Sequence, residues 1–167
     1  TGQEKGRTKI SDAKWDGRNM YISYEIIGAS NGIVCIRDVN NDYNGIDLVS
    51  GQEIWNFSDG ERGMPLPPVL SDGKLYAIKE EYLNGVTLNY LIAVDIFSGQ
   101  MIWKTKIEEN VDTAPVISNG FAYVGGYFGG NHYLYFIDTM TGDLKWKSSE
   151  PVSNYYVSDG KVLFVKS

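Results

Sequence analysis

The sequence has a single cysteine, a single histidine and no long apolar run. Cys35 cannot form a disulfide within the chain, so cysteine usage does not assign the protein to an oxidising or a reducing compartment. With His132 as its only histidine, the chain cannot build a metal site from several histidines. No apolar run approaches the ~20 residues that a membrane-spanning helix needs, so no transmembrane segment is predicted in this chain.

Basic residues are also scarce. The 15 Lys and Arg residues are outnumbered by 21 Asp and Glu residues, which gives a formal net charge of -6. Proteins that bind the phosphate backbone of nucleic acids present clusters of Lys and Arg, which this sequence lacks. We therefore expect no nucleic-acid partner. The apolar content of 43% is typical of a folded globular chain rather than a disordered one.

What the sequence does contain is a repeat. One pattern, x-x-Asp-x-x-(Ser/Thr)-Gly-x-x-x-Trp, occurs three times without gaps, at Gly45–Trp55, Ala93–Trp103 and Phe136–Trp146. Successive tryptophans are 48 and 43 residues apart, which is the length of one propeller blade. The spacing therefore predicts a chain built from repeated structural units.

A second, shorter element accompanies the repeat. It places Asp-Gly or Asn-Gly between alternating apolar residues, which is typical of a tight hairpin turn. Its copies are Trp15–Tyr21, Ser71–Tyr76, Ser118–Tyr123 and Ser158–Leu163. Each unit thus reads as four antiparallel strands, and no segment has helical periodicity.

These units predict an all-β fold, a β-propeller of four-stranded antiparallel blades. A single four-stranded meander leaves apolar faces uncovered, and radial stacking of several meanders covers them. The whole chain, residues 1–167, is expected to be one propeller region. The predicted blades are about 10–57, 64–107 and 112–149, with partial-blade strands at 1–9 and 152–166.

The repeat resembles the tryptophan-docking motif of the PQQ-like, quinoprotein-type propeller family. Ala93, Asp95, Gly99 and Trp103 match that motif fully, and the other two copies differ only at the first position. The resemblance implies that each tryptophan stacks on the glycine-containing segment of an adjacent blade and that each aspartate fixes its turn. The residues implied in this structural role are Asp47, Gly51, Trp55, Asp95, Gly99, Trp103, Asp138, Gly142 and Trp146.

Three blades and parts of a fourth leave open how the ring is closed. The sequence is compatible with a larger propeller of which this chain is a part, with two copies that combine into one ring, and with a partner that completes it. The expected partners are therefore another protein or further blades.

The first blade contains the candidate metal site. Gly17 and Gly51 are 34 residues apart, against 26 and 22 between the corresponding glycines of the next two blades, which predicts a long loop between the second and third strands. Oxygen donors recur at every second residue of that loop, as in loops that wrap calcium: Asp38, Asn40, Asp42 and Asn44. The run resembles the calcium loops of FG-GAP propeller repeats. The alternative is a polar hairpin with Asn44-Gly45 as its turn.

No catalytic constellation and no cofactor-binding residue is predicted. The favoured function is a non-catalytic binding or scaffold module that contacts a protein or surface ligand through the face carrying the first-blade loop. Six tyrosines could contribute to such a surface or pack between blades: Tyr82, Tyr90, Tyr127, Tyr133, Tyr155 and Tyr156. The alternatives are a fragment of a PQQ-dependent dehydrogenase and an architectural or sensor ectodomain of a cell-surface protein. The family resemblance implies an extracytoplasmic location, in the periplasm, at the cell surface or secreted.

Overall fold

The computed structural model describes residues 14–15, 20–21, 24–58, 66–158 and 161–166. In chain order the strands are β1 (Lys14–Trp15), β2 (Met20–Tyr21), β3 (Glu25–Ser30), β4 (Ile33–Arg37), β5 (Tyr43–Asp47), β6 (Glu53–Phe57), β7 (Val69–Ser71), β8 (Lys74–Leu83), β9 (Val86–Asp95), β10 (Met101–Ile107), β11 (Asn110–Val111), β12 (Val116–Ser118), β13 (Phe121–Phe128), β14 (Asn131–Asp138), β15 (Leu144–Lys147), β16 (Val152–Ser158) and β17 (Lys161–Lys166). Across these residues no helix is long and apolar enough to cross a membrane.

The strands form consecutive antiparallel sheets. Sheet I is β3-β4-β5-β6 and sheet II is β7-β8-β9-β10, each in chain order. In sheet III, β11 and β12 both pair with β13, which is followed by β14 and β15, so its first strand is interrupted. Sheet IV is the hairpin β16-β17, and β1 and β2 form a separate pair. The prediction of an all-β fold built from four-stranded antiparallel units is confirmed.

The sheets stack side by side around the first strands. β3 contacts β7, β7 contacts β12 and β12 contacts β16. Three apolar clusters lie between successive sheets, because strands with neighbours on both faces carry apolar residues on both faces. Leu75, Ile92 and Val94 are fully buried between sheets I and II. Each such side chain contributes about 1.5–3 kcal/mol of burial free energy.

The two ends of the stacked sheets differ in their connections. We call "turn end" the end that carries the first-to-second and third-to-fourth strand turns of each sheet. We call "hairpin end" the end that carries the second-to-third strand connections. First-to-second turns are tight, as at Asn31-Gly32 (φ 48° and 83°) and Asn119-Gly120 (φ 49° and 80°), which is the conformation that Asn-Gly pairs tolerate.

The fourth strand of each complete sheet contains a bulge next to its tryptophan. In sheet I the register passes from Gly45 opposite Trp55 to Ile46 opposite Glu53, so Ile54 has no opposite residue. The same shift precedes Trp103 in sheet II and Trp146 in sheet III. A bulge re-aims the side chains of its strand, and here it accompanies the tryptophan in each of the three sheets.

The first sheet begins later than the sequence predicted. The sequence predicts a first blade that starts near residue 10 and has its first turn at Asp16-Gly17. In the structure, sheet I starts at Glu25 and has its first turn at Asn31-Gly32. Both pairs have hairpin chemistry, and the pairing of β3 with β4 determines which one the sheet uses. Sheet II spans Val69–Ile107, sheet III Asn110–Lys147 and sheet IV Val152–Lys166. The predicted strand 1–9 lies outside the described residues.

Candidate functional site

The three aspartates of the repeat hold their turns in the same way. Oδ1 of Asp47 accepts hydrogen bonds from the backbone N–H groups of Val49 and Ser50, at 3.0 and 2.6 Å, and from the Ser50 hydroxyl at 2.9 Å. Asp95 accepts the equivalent three bonds, and Asp138 accepts the two backbone bonds. These bonds lower the pKa of the Asp47 carboxyl, chiefly through Ser50, and so favour its charged form.

Each turn closes on its glycine. The backbone N–H of Gly51 donates to the carbonyl of Asp47 at 2.7 Å, and Gly51 has a φ of 70°. Gly99 and Gly142 repeat the bond, at 2.8 and 2.9 Å, with φ of 67° and 78°. The left-handed backbone explains why glycine occupies this position in every copy.

Two tryptophans lie on the glycine turn of the next sheet. The Trp55 indole contacts Gly99, and its Nε1–H donates to the carbonyl of Ile96 at 2.7 Å. The Trp103 indole contacts Gly142 and donates to the carbonyl of Thr139 at 3.2 Å. In both contacts between neighbouring sheets, the accepting carbonyl belongs to the residue directly after the turn aspartate.

Trp146 has a different neighbour on its own sheet. Opposite the first two tryptophans stand Gly45 and Ala93, whereas Phe136 stands opposite Trp146. The Phe136 and Trp146 rings meet edge to face, with centroids 5.6 Å apart and an interplanar angle of 89°. Trp146 is 42% exposed, compared with 8% for Trp55.

The first-blade loop is short, which corrects the expectation of a long loop between the second and third strands of the first blade. Only residues 38–42 separate β4 from β5, and 19 residues separate Gly32 from Gly51, fewer than in either of the following sheets. Asn44-Gly45, the alternative turn, lies inside β5. The predicted insertion is absent because Gly32, not Gly17, is the first turn glycine of sheet I.

Of the four candidate calcium residues, Asp38, Asn40 and Asp42 lie in this short loop, whereas Asn44 lies in β5. Oδ1 of Asp38 accepts the backbone N–H groups of Asn40 and Asp42 at 2.7 and 3.0 Å. Asn44 is buried, and its Oδ1 accepts a bond from Asn56 at 2.7 Å. Within the described ranges no group of three or more His, Cys, Asp or Glu side chains could hold a metal ion. Calcium at this loop, which would also need amide oxygens, stays a prediction.

Cys35 and His132 occupy ordinary structural positions. Cys35 lies in the cluster between sheets I and II, and burial raises the pKa of its thiol to about 12, which disfavours the reactive thiolate. His132 is partly exposed at the hairpin end, with Nδ1 3.3 Å from Oδ2 of Asp112 and its ring against Tyr127.

Among the described residues, a set of large exposed apolar side chains lies at the hairpin end. β8 and β9 are ten residues long and β13 and β14 eight, whereas β4 and β5 are five. At the tips of these two longer hairpins lie Tyr82, Leu83, Val86, Tyr127 and Phe128, which we call the hairpin-tip surface. Tyr82 is 75% and Phe128 69% exposed. Side chains this exposed contribute little to the core, and exposed apolar patches are typical of surfaces that contact other molecules.

A buried polar cluster joins the bases of the two hairpins. Glu109, in the connection between sheets II and III, accepts hydrogen bonds from the Tyr135 hydroxyl and, at 2.6 Å, from Nζ of Lys147. Its backbone carbonyl accepts a bond from Asn89 of β9 at 3.2 Å. A Cβ at Gly126 of β13 would lie 2.9 Å from the Glu109 Cβ. Glu109 therefore contacts both hairpins.

Charge pairs surround this cluster. Burial alone would lower the pKa of Lys147, but hydrogen bonding and charge attraction from Glu109 and Glu108 raise it overall. In sheet II, Lys104 of β10 bonds Glu81 of β8 at 2.9 Å and lies over the Tyr90 ring of β9. That bond raises the pKa of Lys104 and lowers the pKa of Glu81. The pairing therefore favours the charged forms of Lys104 and Glu81, which lie beside the hairpin-tip surface.

Part of the hairpin-tip surface is predictable from the sequence. Of the tyrosines predicted either to bind or to pack between blades, Tyr82 and Tyr127 are exposed, whereas Tyr133 and Tyr90 pack against the core. The sequence does not predict the exposure of Phe128 or the Glu109 cluster. The signal available for the tips was the length of the alternating run around Asn84-Gly85. No local signal relates Glu109 to Lys147, because 38 residues separate them.

A protein-family model matches most of the chain. The model of the family described as outer membrane protein assembly factor BamB matches residues 40–165. A curated relative, the outer membrane protein assembly factor BamB of Salmonella typhimurium, is 31% identical over 84 residues, which cover 44% of this chain and 21% of that protein. This chain therefore spans only a small part of that relative.

Solved structures show the same fold. The crystal structure of BamB from Moraxella catarrhalis superposes with a TM-score of 0.57 and 18% identity, covering 81% of this chain and 40% of that one. The quinohemoprotein alcohol dehydrogenase of Comamonas testosteroni gives a TM-score of 0.53 and 22% identity, covering 76% and 22%. The expected PQQ-like propeller repeat is confirmed.

Proposed function

Because the chain belongs to the family described as outer membrane protein assembly factor BamB, we propose that it is a non-catalytic propeller module that binds a protein partner through the hairpin-tip surface. The main support for this proposal is the exposure of five large apolar side chains at the tips of two neighbouring hairpins, at one end of the stacked sheets. Aromatic side chains are enriched where proteins bind one another, because they bring large contact area at small entropic cost.

The base of the surface favours binding without rearrangement. Glu109 contacts both hairpins, so their relative position is held by buried hydrogen bonds and by close packing against Gly126. A pre-organised surface loses little conformational entropy on binding, and more of its contact energy appears as affinity. This supports a recognition role for the tips.

The family name supports a location outside the cytoplasm. The relatives are described as outer membrane protein assembly factors, and assembly factors act by contacting other proteins. We extend both features, protein binding and an extracytoplasmic location, to this chain as part of the proposal. The hairpin end also carries the β4–β5 loop, so the proposed surface lies on the face expected from the sequence, on the hairpins of sheets II and III rather than on a long first-blade loop.

Photo-crosslinking in the source cells tests the proposal. A photoreactive amino acid replaces Tyr82 or Phe128, and in a control protein it replaces Ile102, which is exposed on the outer strand β10. We expect one dominant protein adduct from both tip positions and none from position 102. Equal adducts from all three positions, or no tip adduct, would contradict the proposal.

A substitution control separates binding from folding. Phe128→Ser should reduce the adduct formed from position 82 while leaving the urea unfolding midpoint nearly unchanged, because exposed side chains contribute little to stability. If the adduct persists at full yield, the partner contacts the chain elsewhere.

A further inference from the structure

We propose that the turn end carries a second docking surface, which binds a polypeptide segment in which large apolar side chains alternate with Lys or Arg. Its centre is Val49, Phe97 and Met140, which we call the turn row. The turn row lies at the end of the sheets opposite the hairpin-tip surface, so this inference goes beyond the proposed function.

The turn row is a repeated feature. Each of its residues stands two positions after the repeat aspartate, and each is exposed: Val49 by 89%, Phe97 by 48% and Met140 by 78%. A single exposed apolar residue needs no explanation. Three at the same position of three successive sheets form a row that folding does not require, since none belongs to an apolar cluster between sheets.

The backbone of the row is fixed. The N–H groups of Val49, Phe97 and Met140 donate to the carboxylate of the preceding aspartate at 3.0, 3.0 and 2.8 Å. The residue before each one donates its own N–H to the carbonyl of a glycine in the neighbouring turn, at 2.8 to 3.0 Å. The side chains therefore project from a rigid frame, which lowers the entropic cost of binding.

Neighbouring residues widen the apolar area. Leu48 precedes Val49 and is also exposed. The Phe97 ring leans over the first turn of its sheet, because a Cβ at Gly73 would lie 3.5 Å from its Cε2. The apolar surface around the turn row therefore includes residues of the third-to-fourth strand turns and of a first-to-second strand turn.

Charge determines the chemistry of the partner. Each row residue lies beside an aspartate carboxylate of the repeat, and Asp72 and Asp143 add two more at this end. Two lysines offset part of this charge: Lys145 pairs with Asp138 and Asp143 at 3.6 and 3.4 Å, and Lys74 stands opposite Asp95, which leaves five carboxylates against two ammonium groups. Apolar side chains among carboxylates complement a segment that carries apolar and basic residues, and they repel anionic lipid headgroups.

The two surfaces together give the chain a bridging role. A protein held by the hairpin tips and a basic apolar segment held by the turn row would occupy opposite ends of the same stacked sheets. Because the sheets between them are joined by buried apolar clusters, the two partners would be kept at a fixed separation.

The test measures the affinity of the full chain for a labelled peptide of repeated Lys-Leu-Lys-Phe units by fluorescence anisotropy. We expect saturable binding that weakens as salt is raised. The variant Val49→Ser/Phe97→Ser/Met140→Ser should bind at least about tenfold more weakly, whereas Tyr82→Ser/Phe128→Ser should bind as tightly as the wild type.

A second set of measurements keeps the test decisive if the triple variant folds poorly. Asp72→Asn/Asp143→Asn leaves the apolar row intact and should weaken peptide binding a few-fold through the loss of charge attraction. A matched peptide with every Lys replaced by Glu should not bind. Equal binding of the Glu peptide, preferential binding of anionic phospholipid vesicles, or unchanged affinity in both variants would overturn the proposal. None of these outcomes depends on crosslinking at the hairpin tips, so the two surfaces are tested separately.

Discussion

Trp55 and Gly99 are in such close contact that a Cβ at Gly99 would lie 2.6 Å from the Trp55 Cγ. The indole nitrogen of Trp55 also bonds the carbonyl of Ile96 in the same turn at 2.7 Å. One side chain of sheet I thus packs on, and hydrogen-bonds, a turn of sheet II. Trp103 and Gly142 repeat the relationship one sheet further on. The joint between two blades is therefore specified by a tryptophan and by the absence of a side chain opposite it.

Gly99→Ala is expected to destabilise the chain by about 3 kcal/mol. The new methyl group overlaps backbone-anchored Trp55 atoms, and the φ of 67° is strained for alanine. Gly120→Ala is the matched control, because its φ is 80° but nothing lies within 4 Å of its Cβ, so it should cost only about 1 kcal/mol. Urea unfolding measures both. If both variants lose the same free energy of unfolding, the contact between Gly99 and Trp55 does not contribute to the packing of sheet I on sheet II.

Acidification should weaken the turns. Hydrogen bonds lower the pKa of Asp47, chiefly from Ser50, and of Asp138, chiefly from the Met140 N–H, below the unfolded value of about 3.9. A carboxyl with a lowered folded-state pKa stabilises the fold fully above the unfolded pKa, and that stability is lost as the pH falls through the folded-state pKa. The urea midpoint of the wild type should therefore fall between about pH 5 and pH 3.

The variant Asp47→Asn/Asp138→Asn provides the comparison. Its asparagine oxygens can still accept the turn bonds, but they do not titrate, so its urea midpoint should fall less steeply over the same pH range. Parallel curves for wild type and variant would show that these two carboxyls do not contribute to acid sensitivity.

The repeat shows what could be predicted from sequence and why. The carboxylate of Asp95 bonds amides only two and three residues away, so the turn is a local structure that the motif specifies completely. The start of sheet I was less predictable, because Asp16-Gly17 and Asn31-Gly32 have the same turn chemistry and only the pairing of β3 with β4 distinguishes them. The hairpin-tip surface depends on which neighbours cover a side chain, and that is a property of the assembled sheets.

Lys147→Met should destabilise the chain by about 2 kcal/mol, because it leaves the buried Glu109 carboxylate without the cation that lies 2.6 Å from it. Adding Glu109→Gln removes the uncompensated charge and keeps an acceptor for the Tyr135 hydroxyl. We therefore expect the double variant to be more stable than Lys147→Met alone in urea unfolding. A double variant that loses the sum of the two single losses would exclude coupling between Glu109 and Lys147.

The loop of residues 38–42 is predicted to bind calcium weakly. Asp38 and Asp42 bring two carboxylates into one short turn, and Asn40 adds an amide oxygen, which is a weak donor set of the kind that binds calcium with a Kd on the order of 1 mM. Millimolar calcium should therefore raise the thermal midpoint of the wild type, and magnesium should raise it less, because magnesium gives up its water reluctantly. Asp38→Asn should abolish the calcium response, whereas Asp72→Asn, at the opposite end of the sheets, should keep it. If the wild-type midpoint does not respond to calcium, or if Asp38→Asn responds equally, the oxygens of this loop serve only to cap its backbone amides.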